Sequence, residues 1–109
     1  MQKIKHRKFE PIVVNKTWLR ENKFRLSQIY PGAFSKTFPV YCGGDSISFS
    51  CEIVVFQDGA VKVDVLDSGT RSRFAQFYVE EDEDNVIMQI INHKLEKELS
   101  KLGIKEIKD

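Results

Sequence analysis

The sequence predicts an α+β fold, an antiparallel β-meander of about six strands followed by one long C-terminal amphipathic helix packed on the sheet. Three observations point to it. Apolar, β-branched runs flank Asp58-Gly59 between Ile47 and Asp67, the pattern of a β-hairpin. Turn chemistry at Pro31-Gly32, Gly43-Gly44-Asp45 and Ser68-Gly69 punctuates the chain between short apolar segments. Finally, Ile87, Met88, Ile91, Leu95, Leu99 and Leu102 form an apolar stripe at helical spacing.

In chain order, Lys3, Lys5, Arg7 and Lys8 make residues 1–8 a basic, flexible tail, ahead of a single domain over 9–104 and a frayed end over 105–109. Phe9 to Val14 reads as a first strand, with Pro11 placing it at an edge. Trp18-Leu19 and Phe24 to Tyr30 are expected to form a hairpin around Glu21-Asn22-Lys23, with Asn22 in the left-handed position. Tyr30-Pro31-Gly32-Ala33 has the residues of a type II turn. Phe34 to Tyr41 is the next strand, short or at an edge because Pro39 interrupts it. A loop at Gly44-Asp45 sets Phe38 opposite Cys51 and Cys42 opposite Ile47, so the two thiols are not cross-strand partners and no disulfide is expected.

With Asp58-Gly59 as a two-residue loop, Gln57 faces Ala60, and Val54 and Phe56 share the core face with Val61, Val63 and Val65. The opposite face then carries Phe49, Cys51, Ile53 and Val55 beside Lys62 and Asp64. Either the rest of the chain covers that apolar surface, or it is a patch for a partner. After the loop Ser68-Gly69-Thr70-Arg71, Ser72 to Val79 is expected to be a strand. The acids Glu80 to Asp84 suit the start of the final helix, Lys94, Lys97 and Lys101 its end, and Gly103 its stop. Gly103 at C′ places Ile104 against Leu99 in a Schellman cap. Val86 and Ile90 lie off the stripe, so the first two turns are apolar nearly all round and call for cover on a second side.

The composition is that of a globular chain, with 109 residues, 41% hydrophobic and 30% charged. A net charge of +1 gives no global attraction to nucleic acid or anionic membranes. The first residues do not resemble a signal peptide and no long apolar run occurs, so a cytoplasmic protein is expected. His6 and His93 belong to no ligand or nucleophile pattern, and no metal or cofactor is expected. The Gly43-Gly44 loop opens a strand, whereas phosphate cradles open a helix.

Val65-Leu66-Asp67-Ser68-Gly69-Thr70 resembles the active-site loop of aspartic proteases, which implies Asp67 as a catalytic acid/base with Thr70 supporting the loop. The match covers these six residues, and the same four polar ones are also ordinary turn chemistry between strands. Arg71, Arg73 and Lys62 beside Phe74 and Tyr78 could form a basic, aromatic patch for single-stranded nucleic acid. Asp64 and Asp67 among them favour cross-strand charge pairing instead. By element order alone, the chain resembles polo-box domains and, less closely, pleckstrin-homology domains. The function expected from these features is a non-catalytic interaction domain that binds a protein partner, or itself as a homodimer, through Phe49, Ile53, Val55, Val86 and Ile90. A small hydrolase or ligand-binding domain using Asp67, and a nucleic-acid binder, are the alternatives.

Overall fold

The computed structural model describes residues 7–41, 48–70, 72–74, 77 and 86–107. The elements run β1 (Lys8–Phe9), α1 (Lys16–Glu21), β2 (Arg25–Leu26), β3 (Phe34–Tyr41), β4 (Ser48–Val55), β5 (Val61–Asp67), α2 (Val86–Leu102) and β6 (Glu106–Ile107). The fold is α+β. Strands β2-β3-β4-β5 form one antiparallel sheet in sequence order, β1 and β6 pair as a second, two-stranded sheet, and α2 packs on the larger one.

The β3/β4 register is the expected one, with Phe38 opposite Cys51. Cys51 is buried, and Cys42 lies outside the described residues. The β4/β5 register differs by one residue from the expectation. Val55 faces Val61 and Ile53 faces Val63, because the loop has three residues, Gln57-Asp58-Gly59, rather than two. Gly59 N–H donates to the Phe56 carbonyl at 2.9 Å, Phe56 N–H to the Ala60 carbonyl at 2.9 Å, and Gly59 has φ +90°. This is a type I turn closed by a left-handed glycine bulge, to which Asp58 adds a side-chain bond from Ala60 N–H at 3.0 Å.

A one-residue slip exchanges the faces of a strand. Phe49, Cys51, Ile53 and Val55 therefore join Val63, Val65, Phe38 and Val40 in the core, beneath Met88, Ile91, Leu95, Leu99 and Leu102 of α2. Lys62 and Asp64 face Val54 and Glu52 on the other side of the sheet.

The expected hairpin around Glu21-Asn22-Lys23 is a short helix followed by a short strand. Asn15 caps α1, its Oδ1 accepting from Trp18 N–H at 3.1 Å, and Leu19 is buried. Lys23, with φ +69°, takes the left-handed position assigned to Asn22, whose amide donates to the Trp18 carbonyl at 2.8 Å. The Pro31-Gly32 turn forms as expected, with Ala33 N–H bonded to the Tyr30 carbonyl at 3.1 Å and Gly32 at φ +79°.

The ends of the described chain hold each other. Arg7 donates to both carboxylate oxygens of Glu106 at 2.6 and 2.9 Å, donates to Asn92 Oδ1 at 2.7 Å, and lies 5.2 Å over the Phe77 ring. Arg7 and Lys8 are thus part of the domain, Glu106 and Ile107 are paired rather than frayed, and the first strand is Lys8–Phe9 rather than Phe9 to Val14. Ile12 N–H then bonds to the Gly59 carbonyl at 2.9 Å, which ties the N-terminal segment to the central hairpin turn.

After β5, Arg73 makes a single bridge to Leu66, and Phe77 N–H turns back to the Phe74 carbonyl at 3.0 Å. Phe77 itself is therefore in a turn rather than in the extended conformation expected. Residues 75, 76 and 78–85, with the acidic run, lie outside the described residues. At the far end of α2 the cap is the expected Schellman motif. Gly103 (φ +70°) donates to the Ser100 carbonyl at 3.1 Å and Ile104 N–H to the Leu99 carbonyl at 3.0 Å.

Candidate functional site

The residues expected to form a binding surface separate into two groups. Phe49, Ile53 and Val55 are buried, Ile53 with 0% of its surface exposed, so α2 covers the face thought to be open. Val86 stays 63% exposed and Ile90 is half-buried. These two line an open groove of about 520 Å³ with Phe38, Pro39, Val40, Tyr41, Gln89, His93 and Lys94, where the outer edge of β3 meets the first turns of α2.

Among the described residues the edge itself is open, for a structural reason. β2 is two residues long and pairs only with Phe34 and Ser35. Ser27 N–H bonds to the Ala33 carbonyl at 2.8 Å, so the odd-numbered positions of this strand turn their main-chain groups toward β2. By the same alternation, Thr37, Pro39 and Tyr41 point theirs away from β4, beyond the end of β2, and all three residues are exposed. Pro39 supplies a carbonyl and no N–H, a placement that fits its edge position. Lys23 and Asn22, closing α1, turn the chain away before it can extend β2 along this edge.

Beyond Thr37 the edge leads into a cleft of about 830 Å³ lined by Arg20, Lys23, Arg25, Ser35, Lys36, Thr37 and Glu52 among others. Arg20, Lys23 and Arg25 are exposed, whereas Lys36 is held by Glu98 at 3.6 Å. The Glu52 carboxyl is pushed above the usual carboxylate range, first by partial burial and then by Asp64 directly opposite, with Lys62 pulling it back. Because the folded chain holds this proton more tightly than the unfolded one, stability falls as pH rises from the unfolded carboxylate value through the raised one. Glu52→Gln should therefore raise the melting temperature at neutral pH, with the gain shrinking toward zero below about pH 4. Thermal melts of both proteins across that range check this. A gain that persists at low pH would mean that the carboxyl is not perturbed.

Asp67, in the loop resembling aspartic proteases, spends its carboxylate on its own turn. Its Oδ1 accepts from Gly69 N–H at 2.8 Å and Thr70 N–H at 3.2 Å. These are the bonds of an Asx turn. Nor do the described members of the basic, aromatic patch assemble. Phe74 packs on Phe49 with ring centroids 4.5 Å apart, and Lys62 donates to Tyr30 Oη at 2.8 Å and lies 3.9 Å from Asp64. Arg73 is exposed, and Arg71 and Tyr78 lie outside the described residues. Among the described residues no group of three His, Cys, Asp or Glu side chains could hold a metal ion, and no helix is long and apolar enough to cross a membrane.

No family model, curated protein or solved structure matches the chain. The geometry of the molecule is therefore the ground for a functional reading. Of the residues that line the groove and the cleft, the sequence singles out Val86 and Ile90 and does not mark Arg20, Lys23 and Arg25. No local signal marked those three, since their convergence depends on α1 and on the shortness of β2.

Proposed function

We propose that this chain is a non-catalytic interaction domain that takes an extended segment of a partner protein as an added strand along β3. The observation that carries this is the outward-facing main chain of Thr37, Pro39 and Tyr41 beside the exposed Val86 and half-buried Ile90. Strand addition uses main-chain bonds for affinity and pockets for alternate side chains for specificity. In an antiparallel added strand, residues opposite Phe38 and Val40 would place their side chains on the helix side, in the apolar groove. A second copy of the chain is the less favourable occupant. A two-fold pairing centred on Pro39 loses the donors of both prolines, and an edge proline is a common guard against such self-pairing.

Selection from a library of displayed random peptides tests the proposal, with Thr37→Pro and Val86→Glu as comparison proteins. Thr37→Pro deletes an outward donor and Val86→Glu places a charge in the groove, both at exposed positions where melting temperature should change little. Peptides with alternating apolar residues should be recovered on the natural chain and lost on both variants, and light scattering should give a monomer mass. No recovery above the variants would reject strand addition, and a dimer mass abolished by Thr37→Pro would make a second copy the occupant.

A further inference from the structure

We propose that the segment docked on β3 carries carboxylates at its C-terminal end, held by Arg20, Lys23 and Arg25. This deepens the strand-addition reading and rests on it. The apolar groove lies on the helix side of the sheet and the basic cleft reaches its other face, where Thr37 lies opposite Glu52, and both border β3. Phe38 to Tyr41 line the first, Ser35 to Thr37 line the second, and the open edge of β3 runs from one into the other.

Direction follows from strand pairing. β2 is antiparallel to β3, with Arg25 opposite Ser35 and Leu26 opposite Phe34. An added antiparallel strand would lie in the same line, running from a position opposite Tyr41 to one opposite Thr37 and ending against the start of β2. Its N-terminal half would thus cross Val86 and Ile90, and its C-terminal end would enter the space between Arg25, Lys23 and Arg20.

Charge complementarity identifies what that end carries. Among the described residues, Arg20, Lys23 and Arg25 take part in no ion pair, while Lys36 is already engaged by Glu98. Among the described residues Glu52 is the one acid lining the cleft, with Asp64 opposite it on β5 and Lys62 two positions along that strand. Guanidinium groups bind carboxylates through paired N–H donors, and the exposed Thr37 main chain can add a bond at the same place. The carboxylates could be acidic side chains or a free chain terminus, both of which present the same oxygens to these cations.

The test displays the random library in two formats, one ending in a free C-terminus and one followed by a linker. Selected segments should place acids after the alternating apolar residues. Enrichment in both formats assigns the carboxylates to side chains, and enrichment only in the free format assigns them to the terminus. A synthetic selected peptide should bind about tenfold more weakly to the Lys23→Glu, Arg25→Glu double variant, with the gap closing in high salt. Binding lost on Thr37→Pro but showing neither an acidic bias nor a preference for the free format, acids at the N-terminal end, or equal affinity for the charge-reversed variant would overturn this inference and leave strand addition standing. Binding indifferent to Thr37→Pro and Val86→Glu would overturn both.

Discussion

Ile53→Lys should unfold the domain. Ile53 lies mid-strand on β4 with none of its surface exposed, facing Val63 on one neighbour and Lys36 on the other, under α2. A lysine there must bury an ammonium among Cys51, Val55, Leu95 and their neighbours or tear α2 from the sheet. The nearby carboxylate of Glu98 already takes Lys36 at 3.6 Å and Lys101 at 3.8 Å, so it offers the new cation little. The cost is on the order of 4 kcal/mol or more, comparable with the whole stability of many small domains. Ile53→Val, which removes one methylene, should cost about 1 kcal/mol. Circular dichroism melts of both variants measure this. A lysine variant that melts near the natural chain would show that the face is open and that the β4/β5 register is wrong by one residue. The interaction reading thus rests on β3, Val86 and Ile90, and no longer on the central strand.

Gly59→Ala should cost about 3 kcal/mol or more, far beyond the usual price of losing a left-handed glycine. The residue has φ +90°, and a Cβ there would stand 2.1 Å from the Ile12 carbonyl oxygen, in a segment whose N–H bonds back to Gly59. Relief requires moving main chain, which breaks the tie between the N-terminal segment and the hairpin. Gly103→Ala supplies the comparison. Its φ is +70°, yet nothing lies within 4 Å of the added carbon, so only the conformational term of about 1 kcal/mol applies. Denaturant titrations of the two variants should differ by roughly that contrast. Equal costs would mean that Ile12 does not lie over the turn.

Some elements were determined by the chain's own local chemistry. The stop at Gly103, the contact of Ile104 with Leu99, the Pro31-Gly32 turn and the extent of β3 depend on neighbours within a few residues, and all are legible in the sequence. The capping role of Asn15 was equally local and was missed because the same residues also read as an extended pair. The hairpin around Asp58-Gly59 was legible as a hairpin but not in its register. Two- and three-residue loops use the same Asp-Gly pair, and the choice between them exchanges the faces of β4. Tertiary packing made that choice: Ile12 docks on the glycine bulge, and α2 covers the face that a three-residue loop presents. The candidate site was divided in the same way. Val86 and Ile90 stood out because they leave the helical stripe, a pattern within one element. The open edge of β3 and the convergence of Arg20, Lys23 and Arg25 on it were not legible, because they follow from how soon β2 ends and where α1 turns the chain, and long-range placement of that kind leaves no periodic trace in the residues themselves.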